Sequence, residues 1–321
     1  MKLNEITIEL TQQCPNQCIH CSSLSDMEKT EALDFETVCK IIGDAKFLGV
    51  KTVNLSGGEP FLRADIAKIV DYIHTQGISI RVYTSGIYCE NRQYSSIPVA
   101  LLEAVKDKIN AMIFNYEAID AELYATIMGT EPANIDLLEK TIKNAIALGI
   151  PVEAHLVPMH CNYLEIPEVL KKLFSMGVKN VSILRLVPQG RVMENKELIV
   201  LSADEQEELQ QILSKNDEIF KGKIRLGLPF SSKGVLCGTG SVKLTVRYDG
   251  YVFPCEAFKD RMMVIDEDIT PENVKDNSLK DIYENSAYLR RIREGMKAYL
   301  EQNHNECCFG QYCRNEYIGE I

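Results

Sequence analysis

Apolar positions along the chain follow two alternating rhythms. Short β-rich runs occur at 3–10, 51–56, 78–84, 109–115, 151–157 and 179–187. Between them, apolar residues recur at helical spacing. Phe35, Val38, Ile42, Ala45 and Leu48 form one stripe, with Asp34 as N-cap and Gly49 as a stop. Ile66, Ile69, Val70 and Ile73 form a second, closed by Gly77. The arrangement returns at Ile142, Ala145, Ile146 and Leu148 before Gly149, and at Val169, Leu170, Leu173 and Met176 before Gly177. Six strands, each followed by a crossover helix, predict an α/β fold with a parallel sheet. Six is too few for a closed eight-stranded barrel. The expectation is a partial (β/α)6 TIM-like barrel over residues 1–190, with its site at the C-terminal strand ends.

After residue 188 the rhythm breaks. Residues 188–200 read as a polar linker, and Ser202 caps a helix running to about Leu213. Residues 191–223 are therefore expected to be linker and helix. From 224 the pattern changes again. LTVRYDGYVFPC reads as a β-hairpin turning at Asp249–Gly250. A helix is expected over 278–295, and a cysteine-rich tail follows. Residues 224–321 are thus expected to form a small hairpin-plus-helix extension that carries five of the eleven cysteines.

Composition narrows the function. Hydrophobic residues are 45% and charged residues 25%, the balance of a folded globular chain. The net charge of −11 argues against a phosphate-backbone surface, which needs a basic field. Aromatics are 7% with no Trp, which weakens a base-stacking reading. Nucleic acid is therefore not an expected partner, and neither is a membrane, because no run of 18 apolar residues exists. The opening MKLNEITIEL carries Glu5 and Glu9 where a signal peptide needs an unbroken apolar stretch. A cytoplasmic location is expected, and there eleven cysteines point to metal binding or catalysis rather than to disulfides.

Strand one is followed by TQQCPNQCIHC. Cys14, Cys18 and Cys21 form C-x3-C-x2-C on a loop at a strand's C-terminal end. Three thiolates can hold three irons of a [4Fe–4S] cubane and leave the fourth open to a small molecule. A zinc loop with His20 or a distant cysteine as fourth ligand is the alternative on spacing alone. The second strand ends in SGGEP, residues 56–60. There Gly57 and Gly58 allow close backbone approach, and Glu59 offers a carboxylate to an ammonium group.

With both motifs at the ends of adjacent strands, the chain resembles the radical SAM superfamily over essentially its whole length. The resemblance implies that Cys14, Cys18 and Cys21 ligate a [4Fe–4S] cluster and that S-adenosylmethionine chelates its fourth iron. Gly57, Gly58 and Glu59, with Pro60 beside them, would hold the amino group. It further implies reductive cleavage of SAM to a 5′-deoxyadenosyl radical that abstracts a substrate hydrogen. YTSG, residues 83–86, sits where relatives carry a ribose-contacting turn, which makes Ser85 a candidate. Asn115 ends strand four, where relatives place a small polar residue. Asn162 and RLVPQGR, which includes Arg185, resemble the fifth- and sixth-strand regions of the peptide-modifying branch. One departure stands out: Met128 occupies a position where relatives carry an Arg that contacts the SAM carboxylate.

Cys237-x12-Gly250-x4-Cys255 spans the hairpin and resembles the opening of SPASM and twitch extensions, which hold auxiliary iron–sulfur clusters. The tail NECCFGQYC adds Cys307, Cys308 and Cys313. Cys237, Cys255, Cys313 and one of Cys307 or Cys308 would ligate a second, auxiliary [4Fe–4S] cluster. A four-cysteine zinc staple is the alternative. A leftover Cys308 is a speculative hydrogen donor. Cys39 is expected in the core of the first helix, and packing roles are expected for Cys89 and Cys161. His74 is expected on the surface, while Glu117 and Asp120 are candidates for a substrate amine.

The reading that follows is a radical SAM oxidoreductase that modifies a peptide or protein side chain, by crosslinking, thioether formation, epimerisation or oxidation. A flavodoxin- or ferredoxin-type protein would supply electrons. No leader-recognition segment precedes Leu3, so leader recognition would need a separate leader-peptide-binding protein. The alternatives are a radical SAM dehydrogenase of a sugar or cyclitol alcohol and, in another class, a zinc-stabilised binding scaffold.

Overall fold

The strands are β1 (Glu5–Thr11), β2 (Thr52–Gly57), β3 (Ser79–Thr84), β4 (Ile87–Glu90), β5 (Gln93–Ser96), β6 (Ala111–Asn115), β7 (Val152–Leu156), β8 (Asn180–Ile183), β9 (Ile224–Leu226), β10 (Lys243–Val246) and β11 (Val252–Phe253). The helices are α1 (Phe35–Leu48), α2 (Ile66–Thr75), α3 (Val99–Val105), α4 (Ala121–Met128), α5 (Asn134–Ala147), α6 (Ile166–Met176), α7 (Lys196–Ile199), α8 (Ala203–Ile219), α9 (Leu279–Asn285) and α10 (Ala287–Asn303). The computed structural model describes residues 2–227, 237–259, 269–303 and 309. Among the described residues, nine strands form one sheet in the order β11-β10-β1-β2-β3-β6-β7-β8-β9, and β4 and β5 pair as a separate hairpin. Every neighbouring pair in the large sheet is parallel except β10–β11. The sheet's ends do not pair with each other, so the barrel is partial, as expected.

Period-two alternation sorts each strand. On β1, Ile6, Ile8 and Leu10 are fully buried and share one apolar cluster with Val38, Ile41, Ile42 and Ala45 of α1. Each such side chain contributes about 1.5–3 kcal/mol by leaving water. The other face of the sheet is polar. One row runs Thr245–Thr7–Asn54–Arg81 across β10, β1, β2 and β3. A second runs Asn115–His155–Ser182–Arg225 across β6, β7, β8 and β9. The helices take the apolar side, and the chemistry has the other.

All six expected strands form, and Asp34 caps α1 by accepting from the Thr37 N–H at 2.7 Å. The LTVRYDGYVFPC hairpin forms as β10 and β11, closed by Arg247 N–H to Tyr251 O at 2.9 Å.

Several expectations shift. The boundary expected at 224 falls on β9, which is hydrogen-bonded to β8 as an outermost core strand. At the other edge, β10 pairs in parallel with β1, so the C-terminal region widens the core sheet. The stretch expected as a polar linker packs inward, with Gln189, Val192 and Ile199 buried. The helix expected over 278–295 is two helices. Ser286 breaks it with non-helical backbone, and its Oγ accepts from Leu289 N–H at 3.3 Å to start α10. Cys39 is half-buried, beside rather than on the buried stripe of α1. The β4–β5 hairpin was not expected. His74 is exposed, as expected.

Candidate metal and cofactor site

The loop after β1 carries Cys14, Cys18 and Cys21, and the rest of the fold holds its backbone. Cys14 N–H donates to Asp26 O at 3.0 Å, Gln17 N–H to Met128 O at 3.1 Å, and Ile19 N–H to Ile127 O at 2.9 Å. The end of α4 thus fixes the backbone on either side of Cys18. Arg191 fixes the segment beyond. Its guanidinium donates to Cys18 O at 2.8 Å and Ser25 O at 2.7 Å, and its own N–H to Cys21 O at 3.1 Å.

Gly58 shows why SGGEP must follow β2. A Cβ there would lie 2.0 Å from the Gln13 carbonyl oxygen. Only hydrogen fits, and the contact lets Gly58 N–H donate to Thr11 O and Glu59 N–H to Gln13 O, at 2.6 and 2.8 Å. At Gly190 the same holds, because a Cβ would meet Cys21 O at 2.3 Å. The glycine pair is a backbone cradle for the cysteine loop.

Glu59 is fully buried. Its carboxylate accepts from Ser85 Oγ at 2.6 Å, Ser85 N–H at 2.7 Å, Thr84 Oγ1 at 2.8 Å and Phe61 N–H at 3.1 Å. Burial raises its pKa, and these donors oppose the rise. Ser85 therefore lies on Glu59 itself, at the end of β3. Pro60 is buried at the start of a short 3-10 turn, residues 60–62.

Burial also pushes the Cys14 and Cys18 thiols up, with neighbouring cysteines adding to the effect. Metal binding at such thiols must displace protons. Met128 Sδ lies 3.9 Å from Cys18 Sγ, so the residue at the departing position packs against the loop. Among the described residues, no three His, Cys, Asp or Glu side chains converge as the ligands of one ion do. A cubane binds each thiolate to a different iron and needs a wider triangle. The three-thiol donor set on one pinned loop fits a cluster. His20 is turned toward Glu117, with Nε2 3.6 Å from Oε1. Its Nδ1 is buried without a hydrogen-bond partner.

Glu117 is fully buried, and burial raises its pKa to about 7. It accepts from Val157 N–H at 2.8 Å and from Asn115 Nδ2 at 3.4 Å. Asn162 donates to the Glu117 and Val157 carbonyls at 2.9 and 3.1 Å. These residues lace the ends of β6 and β7 together. Asp120 is exposed and caps α4, its Oδ1 accepting from Leu123 N–H at 2.8 Å. Arg185 follows β8 and is half-buried. A cavity of about 380 Å³ opens beside the loop, between Gln13, Met27, Phe61, Arg63, Tyr88 and Cys89.

In the C-terminal region Cys237 and Cys255 are buried. Their flanks meet where Gly240 N–H donates to Pro254 O at 2.9 Å. Cys307, Cys308 and Cys313 lie outside the described residues. The residues that tie the two cysteine regions together were not given that role from sequence, although Gln189 and Arg191 lie in RLVPQGR. They are Gln189, Arg191, Glu9, Ser23 and Lys259. The one signal was Glu9, a charged residue at an inward position of a core strand.

A family model described as the radical SAM superfamily matches residues 8–173, and one described as an iron–sulfur cluster-binding domain, SPASM, matches residues 237–314. The chain is 27% identical to the PqqA peptide cyclase of Methylobacterium sp. (strain 4-46) over 292 residues, 89% of this chain and 74% of that one. It is 26% identical to the mycofactocin maturase MftC of Mycobacterium tuberculosis over 301 residues, 91% and 73% of the two chains. The fold matches Streptococcus suis SuiB bound to S-adenosylmethionine with a TM-score of 0.72 at 17% identity, covering 92% of this chain and 68% of that one. The first family implies a [4Fe–4S] cluster with SAM, and the second implies auxiliary iron–sulfur clusters. With the first model covering a little over half of its residues, the chain belongs to the radical SAM superfamily.

Proposed function

We propose that this protein is a peptide maturase: it cleaves SAM reductively and abstracts a hydrogen atom from a peptide or protein side chain. The observation that carries this is the loop of Cys14, Cys18 and Cys21, pinned against Gly58 and Glu59 at the ends of adjacent parallel strands. The cluster with its bound SAM supplies one-electron cleavage of the sulfonium, giving methionine and a 5′-deoxyadenosyl radical. The chain's own residues position and shield. Cys14, Cys18 and Cys21 offer three thiolates. Glu59, its carboxylate fixed by Ser85 and Thr84, offers a buried acceptor for an ammonium group. Asn115 ends β6 in the polar row of the sheet, and Arg185 lies two residues beyond the end of β8.

The peptide substrate is supported by the named activities of the relatives, a peptide cyclase and a maturase. Cys237, Cys255, Cys313 and one of Cys307 or Cys308 would hold one auxiliary cluster, as an electron conduit or a structural element. A flavodoxin- or ferredoxin-type donor and a separate leader-peptide-binding protein complete the scheme. The cytoplasm suits it, because thiols that ligate iron must stay reduced. None of the described helices is long and apolar enough to cross a membrane.

The test is anaerobic reconstitution followed by strong reductant and SAM. Deoxyadenosine is expected from the wild type and not from Cys14→Ala, Cys18→Ala or Cys21→Ala. With a deuterated candidate peptide, label should move into the deoxyadenosine. Zinc without iron, or iron without SAM cleavage, overturns the reading.

A further inference from the structure

Charged side chains are seldom buried unless paired. Lys259 is 5% exposed, and its ammonium sits in a closed triangle. Nζ donates to Glu9 Oε1 and to Ser23 Oγ, the latter at 2.8 Å, and Ser23 Oγ donates to Glu9 Oε1 at 2.7 Å. Each corner comes from a different part of the fold. Glu9 is on β1, Ser23 lies two residues beyond Cys21, and Lys259 lies four beyond Cys255. Arg247 Nη1 donates to the Lys259 carbonyl oxygen at 2.6 Å and forks onto Asp249 at the hairpin turn, which anchors Lys259 to the C-terminal region.

A second tie runs in parallel. Gln189, fully buried, donates from Nε2 to Glu256 O at 2.7 Å. Its neighbour but one, Arg191, holds Cys18 O and Cys21 O. Thr7 Oγ1 donates to Glu256 Oε1 at 2.8 Å. The two cysteine regions, more than two hundred residues apart in sequence, therefore share buried polar partners.

We propose that Lys259 is a positioning residue that couples the C-terminal cysteine region to the N-terminal cysteine loop and sets the electrostatic field at the cluster held there. The inference rests on the reading that Cys14, Cys18 and Cys21 hold that cluster. In a buried, low-dielectric setting a unit charge acts over a longer range than in water. The Glu9 carboxylate leaves Oε2 buried with no hydrogen-bond partner, so Lys259 is its main compensation. Removing the cation exposes the cluster to an unbalanced anion, and adding an electron becomes harder. Removing the anion instead leaves an unbalanced cation, and adding an electron becomes easier.

The test is an EPR-monitored redox titration of the full chain, reconstituted anaerobically. It follows the signal that changes when SAM is added. Lys259→Met should lower the midpoint potential, Glu9→Gln should raise it, and the double variant should return near the wild type. Lys259→Arg should stay close to the wild type. A merely structural role would move both single variants the same way. Same-sign shifts, or none, overturn the inference. If Lys259→Met takes up no iron, Glu9→Gln and the double variant still decide the sign. Wild-type protein with no SAM-responsive cluster overturns the proposed function and this inference together; a responsive cluster with unmoved potentials overturns this inference alone.

Discussion

The Nε of Arg191 donates to the Cys18 carbonyl oxygen at 2.8 Å, across 173 residues of chain. One guanidinium therefore shapes the loop between the second and third cysteines, and with Ser25 it spans the loop's far side. Arg191→Met removes both donors and leaves the carbonyls short of partners. A loss of about 1–3 kcal/mol is expected. The midpoint of urea unfolding checks it. Iron uptake at the N-terminal loop should fall as well, while Arg191→Lys, with no fork, should recover only part of the loss.

Two glycines should respond in opposite directions to the same methyl group. Gly58→Ala drives a Cβ to 2.0 Å from backbone oxygen of Gln13, and the cysteine loop must move or the strand end must open. Gly43 lies exposed within α1 with nothing within 4 Å of a built Cβ. Gly43→Ala should stabilise by about 0.5–1 kcal/mol through helix propensity. Thermal unfolding of the two variants, each with its cluster content measured, separates the effects. A Gly58→Ala protein with unchanged stability and iron content would contradict the cradle.

Glu59→Gln tests the buried carboxylate. The amide keeps the size but turns one acceptor into a donor that faces the Ser85 N–H and hydroxyl. One buried donor is left unpaired, at a cost of about 1–3 kcal/mol. SAM binding measured by equilibrium dialysis should weaken at least tenfold. Ser85→Ala should weaken it less, because Thr84 and two backbone N–H groups still hold the carboxylate at Oε1 and Oε2.

His155 carries a pH dependence of known sign. Burial, then the Arg81 and Arg225 charges, lower its pKa from 6.5 to about 4. A depressed histidine pKa means that the unfolded chain binds the proton more readily than the folded one. Its stabilising contribution is present in full above pH 6.5 and is lost as pH falls toward 4. His155→Phe keeps a ring against Tyr83, whose centroid is 5.1 Å away, and removes the titration. Urea unfolding at pH 7 and pH 4.5 should show a smaller loss for the variant than for the wild type.

Much of this protein was legible in its sequence, and for local reasons. Alternating apolar residues announced six core strands, because period two and period 3.6 are properties of each segment alone. Asp34 and Ser202 announced caps in the same way, and Ser202 forms a full capping box with Glu205. C-x3-C-x2-C and SGGEP marked the site because short spacings confine side chains to one loop.

Only the tertiary structure decided what touches that loop. Ile224–Leu226 is too short a run to announce a strand, yet β8 offers it an open edge. β10 read as half of a hairpin, but its pairing with β1 depends on sheet order, which hydrophobic pattern does not encode. The glycines of SGGEP read as sites of close backbone approach, and only the fold shows which backbone comes near: Thr11 at Gly57 and Gln13 at Gly58. The sequence around Gln189, Arg191 and Lys259 carries nothing that names their partners. These side chains are drawn inward by carbonyls and a carboxylate contributed by distant segments. Local patterning set the elements and the cysteine loop, while long-range hydrogen bonding set the loop's shape and its charge environment.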